Sequence, residues 1–104
     1  VDNDAMVAAI RGAVSSDVEV LSARLKPIAG DPRSRIARAA LTASSRREVT
    51  GFPSMSDLVH LSVPGIVFGP GTPDQSHRAD ESISLDSVLA APEIYRRTIE
   101  EFFA

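Results

Sequence analysis

Pro64-Gly65-Ile66-Val67-Phe68-Gly69-Pro70-Gly71 sets three large apolar residues in a row between two breakers on one side and three on the other. A short run that is apolar on both sides, rich in β-branched residues and bounded by Gly and Pro, reads as a strand buried on both faces. Such strands belong to sheets covered by helices, so this stretch predicts an α/β fold. The strand should end at Gly69-Pro70-Gly71. On its C-terminal side Thr72 to Ser82 is polar and reads as a loop. Ser84 can cap a final helix carrying Leu85, Val88, Leu89, Tyr95, Ile99, Phe102 and Phe103. The apolar stripe keeps its phase across Pro92, which predicts one kinked helix more than two separate ones. Ile66 to Phe68 should lie buried beneath it.

Towards the N-terminus, Val49 to Asp57 turns to Thr, Gly, Pro and Ser and reads as a loop. Leu58 to Leu61 fits one helical turn or a short strand. Asp31-Pro32 reads as a helix start, with Ile36, Ala37, Ala40 and Leu41 as its apolar stripe. Pro27, Gly30 and Pro32 form a breaker cluster and mark a boundary. Before it, Val18 to Leu25 alternates partially and reads as a strand. Met6, Val7, Ile10 and Val14 have helical spacing, with Asp2 or Asn3 available as the cap. The order is helix, strand, helix, loop, strand, loop, helix.

At 104 residues the chain holds one core at most. Hydrophobic residues at 43% and charged residues at 24% exclude a wholly disordered chain. A net charge of −3 argues against a phosphate-binding surface, and Arg33, Arg35, Arg38, Arg46 and Arg47 read as solvated helix-face residues with no aromatic interleaving. Nucleic acid is therefore not an expected partner. The longest apolar stretches, such as Met6 to Ile10, fall far short of the roughly 20 residues of a membrane span. There is no cysteine, so disulfides and cysteine-ligated zinc are excluded. The first residue is Val1 rather than Met, which suggests a processed chain or one cut from something longer.

His77 lies in the polar loop after the apolar strand, where α/β folds place their sites. A neutral imidazole there suits metal binding or proton transfer, with Asp80 and Glu81 available to accept the other ring N–H. The plainer reading is a solvated loop histidine. Gly69-Pro70-Gly71 is not a phosphate cradle, because Pro70 removes a donor and no Lys-Ser/Thr follows. It reads as a sharp turn bringing backbone close to something else. Gly51 to Asp57 can wrap a polar ligand with Ser54 and Ser56, or Asp57 can simply cap the turn that follows. His60, between Val59 and Leu61, reads as a partly buried side chain. No Gly-x-Ser-x-Gly elbow supports serine catalysis.

Phe68-Gly69-Pro70-Gly71, then His77, then Asp80-Glu81 and a long helix with Tyr95, resembles the C-terminal segment of the dinuclear zinc peptidases and deacylases. These include acetylornithine deacetylase, succinyl-diaminopimelate desuccinylase, aminoacylase and carboxypeptidase G. Ser56-Asp57 matches the Ser/Thr-Asp motif one loop earlier. The resemblance covers the whole chain, strongly from Gly51 to Phe103 and weakly before Gly30. It implies that residues 1–26 are the last helix and strand of an inserted α+β lid or dimerisation domain. Residues 27–104 would be the returning part of the α/β catalytic domain.

The resemblance also implies a site with two zinc ions, cobalt or manganese being able to substitute, and a metal-activated water that attacks an amide carbonyl. His77 would be the last metal ligand. Gly51, Ser54, Gly69 and Gly71 would border the substrate, and Asp57 and Glu81 would support the ligands by hydrogen bonds. The other ligands and the general base precede this segment in the family. A catalytic zinc needs about three protein ligands, so the chain alone should be inactive. The implied partners are an N-acyl amino acid or peptide substrate, the preceding part of the same enzyme, and a second copy in a homodimer. The implied compartment is the cytoplasm. The competing expectation is a small non-catalytic α/β interaction module. A His-x-Asp motif after an apolar strand upstream of Val1 would decide for the hydrolase.

Overall fold

Alanines 37, 39, 40 and 43 recur on one face of a helical segment, and they form most of the core. In the computed structural model, which describes residues 2–104, this segment is α2 (Arg35–Ser44). Val1, where the expected 1–26 segment begins, lies outside the described residues. Small side chains let α2 approach α3 (Leu85–Phe103) closely, and α3 answers with Ala91 and Thr98, both buried. The Thr98 hydroxyl is satisfied within α3 by donating to the Ile94 carbonyl at 2.8 Å. At the far end the Arg35 guanidinium lies 5.2 Å above the Phe102 ring and donates to the Ala104 carbonyl at 3.0 Å.

α2 starts three residues later than Asp31-Pro32 suggests. Asp31 instead accepts from the Arg33 N–H at 2.8 Å in a local turn, and Ser34 is the cap, its hydroxyl accepting from the Ala37 N–H at 3.4 Å. The helix ends on Ser45 in the left-handed conformation, φ 55°, with the Arg46 N–H returning to the Leu41 carbonyl at 3.1 Å. α3 is capped by Ser84 as its sequence predicts and runs unbroken through Pro92. The proline has no N–H, so the Val88 carbonyl loses its helical donor.

α1 (Asn3–Ala13) begins at Asp2, whose side chain accepts from the Asp4 N–H. It buries no residue and touches neither of the other helices. Its ties run to the segment that follows it. The Asn3 side-chain amide donates to the carbonyls of Ala23 at 2.9 Å and Leu25 at 2.8 Å, and Arg11 reaches the Val18 carbonyl at 3.4 Å.

The α/β expectation is overturned, because the regular elements among the described residues are all helical and none is a strand. Val18 to Leu25 is irregular, with Leu21 88% exposed. Ile66-Val67-Phe68 is not the expected buried central strand: it belongs to no ladder, and Val67 is 47% exposed. Phe68 does pack on α3, edge to face with Tyr95 at 5.9 Å between ring centroids. The physical reason is that a strand takes its hydrogen bonds from a neighbour, and no second extended segment pairs with either stretch. Leu58 to Leu61 resolves as a 3₁₀ turn, Asp57–His60.

Candidate functional site

The loop from Gly71 to Glu81 is built by backbone conformations that few residue types favour. Gly71 has φ 90°, and a Cβ there would sit 3.3 Å from Ile83 Cδ1. A 3₁₀ turn, Pro73–Gln75, follows, closed by the Gln75 N–H to the Thr72 carbonyl at 3.1 Å. The Thr72 hydroxyl is the main cause that holds the Asp74 carboxyl below its ordinary value. The chain then reaches His77, left-handed at φ 63°. Outside glycine this conformation is uncommon and stores on the order of 1–3 kcal/mol, and it gathers at functional sites. The His77 N–H donates to Glu81 Oε2 at 3.3 Å, so Glu81 closes the loop through the backbone rather than through the ring. The imidazole is exposed.

The candidates expected to border a substrate lie around two clefts. Gly51, Ser54 and Gly69 border one of about 760 Å³, floored by α2 through Ala37, Ala40 and Leu41. Gly69 and Gly71 border another of about 520 Å³ against α3. Gly69 must stay small there, since a Cβ would lie 3.2 Å from Tyr95 Oη. His77, Asp57 and Glu81 line neither cleft. Asp57 opens the 3₁₀ turn as its first residue and does not cap it; Ser56 holds the cap position without a side-chain bond. His60 is exposed rather than partly buried.

Among the described residues no three His, Asp or Glu side chains come together to hold a metal ion. The residues present therefore do not by themselves fit a zinc centre, which needs about three protein ligands. Arg46 was readable only as a solvated arginine, because it follows the end of α2 and lies outside any periodic pattern. The structure sets it with Ser44, Phe68 and Gly69 on the border shared by both clefts. No helix is long and apolar enough to cross a membrane among the described residues. No family model, no curated protein and no solved structure matches this chain.

Proposed function

We propose that this chain is a portion of a metal-dependent amide hydrolase acting on N-acyl amino acids or peptides, and that it contributes His77 as one ligand to a zinc site completed by residues outside it. The observation that carries the reading is His77 itself. Its backbone is left-handed, its N–H donates to Glu81 Oε2, and the residue is exposed. Uncommon backbone conformations gather at functional sites, and an exposed imidazole is available as a ligand. The resemblance of the Gly69-Pro70-Gly71, His77 and Asp80-Glu81 series adds the reaction class and a cytoplasmic compartment. The division at residues 26 and 27 is supported by α1, which binds to residues 18–25 and to no other helix.

The missing ligands favour a second reading, a non-catalytic interaction module. One variant separates the two. His77→Ala in the full-length parent should lower zinc content and reduce amide hydrolysis by orders of magnitude, with helix content unchanged. Full zinc stoichiometry with near-normal turnover would reject the ligand role. A parent that neither binds zinc nor hydrolyses amides would support the interaction module.

A further inference from the structure

The 520 Å³ cleft has a chemical character of its own. Its walls are apolar where Phe68, Ile83, Ile94 and Tyr95 meet. Ser44, Ser87 and Tyr95 also line it, and Arg46 is the sole charged residue of its lining. Arg46 makes no ion pair among the described residues. A guanidinium offers a planar fork of donors that matches a carboxylate in two parallel hydrogen bonds, and it is always charged. A volume in the range of small-molecule sites, with an apolar body and one cation at its border, selects a ligand with the complementary division.

We infer that this cleft binds a small carboxylate with an apolar tail, its carboxylate on Arg46 and its tail against Phe68, Ile83 and Tyr95. The inference rests on the cleft alone and not on the hydrolase reading, since neither His77 nor a metal takes part. The chain has one tyrosine and no tryptophan, so its intrinsic fluorescence comes from Tyr95 at the cleft wall.

The test is a fluorescence titration of the 104-residue chain with hexanoate, with hexanamide as the uncharged isostere, and with inorganic phosphate. Hexanoate should change Tyr95 emission saturably, while hexanamide and phosphate at equal concentration should not. Arg46→Gln should weaken hexanoate binding about tenfold or more, and Arg46→Lys should retain part of it. Ala90→Phe, which fills the cleft from an exposed helix position and leaves Arg46 in place, should abolish it. Circular dichroism of each variant verifies that α2 and α3 persist. Equal binding of hexanamide, equal binding of phosphate, an unaffected Arg46→Gln chain, or no saturable change would each overturn the inference.

Discussion

Among the described residues, Ser45, His77 and Gly71 have left-handed backbone. Ser45 and His77 take that conformation although a side chain disfavours it, and Gly71 takes it where a Cβ would also crowd Ile83 Cδ1 at 3.3 Å. Gly71→Ala should cost about 1–2 kcal/mol, because the backbone strain adds to the crowding against Ile83. Urea denaturation followed by far-ultraviolet circular dichroism checks this, and an unchanged midpoint would show that the loop rearranges freely. His77 gives the opposite expectation. His77→Gly should raise stability by about 1 kcal/mol through relief of the same strain, and under the proposed ligand role it should also lower zinc content in the parent. A stability loss at that position would mean the imidazole packs rather than waits. None of these conformations was legible in the sequence. Gly71 gave a turn signal through its neighbours, but nothing local distinguishes His77 from a histidine in ordinary extended backbone.

At the scale of elements, α3 combines a weakness and a reinforcement. Pro92 lies in its interior and is exposed, so its ring contributes no core packing. Pro92→Ala should restore the hydrogen bond to the Val88 carbonyl and stabilise the chain by up to about 3 kcal/mol. A lower melting temperature in that variant would assign Pro92 a packing role instead. One turn further on, Arg96 donates to Glu93 at 2.7 and 2.9 Å and also bonds Glu100. The Arg96 hydrogen bonds are the main cause that holds the Glu93 carboxyl below its ordinary value of 4.5, while the two glutamates raise the guanidinium's affinity for its proton. Because Glu93 is more acidic folded than unfolded, its contribution is complete above pH 4.5 and is lost as pH falls through the depressed folded value. The side chains are exposed, so the effect is small and weakens with salt. Arg96→Gln should flatten the loss of helix stability below pH 4.5, measured as denaturant midpoint against pH at low salt. An identical acid limb in both proteins would remove the pair from the account.

The whole molecule is extended for its length. Its radius of gyration is 17.6 Å, where about 13 Å is typical of a compact domain of roughly 100 residues. Among the described residues no large side chain is fully buried, and Phe103 stays 76% exposed at the end of α3. α1 touches neither α2 nor α3, and its Asn3 side chain is hydrogen-bonded to the segment that follows it. Deleting residues 1–26 should therefore leave the unfolding of α2 and α3 within about 0.5 kcal/mol of the intact chain, as independent sites add without coupling. Fluorescence-free calorimetry or circular dichroism of the two chains reads this directly. A large loss on deletion would show that α1 supports the helix pair through the intervening loops.

What the amino-acid order determined by itself is the set of three helices. Asp2 and Ser84 cap as their positions suggest, and the stripe from Leu85 to Phe103 carries α3 past its proline. Helices are legible because each one closes its backbone hydrogen bonds within four residues, so nearby sequence suffices. Only the tertiary structure decided the fate of Val18 to Leu25 and of Ile66 to Phe68. Both have the composition of strands, but a strand exists through the backbone of a neighbour. Tertiary structure also decided the position of Arg46, which no spacing rule could bring from the end of α2 to the cleft beside Phe68 and Tyr95. Local order writes the helices, and contacts between distant residues write everything that joins them.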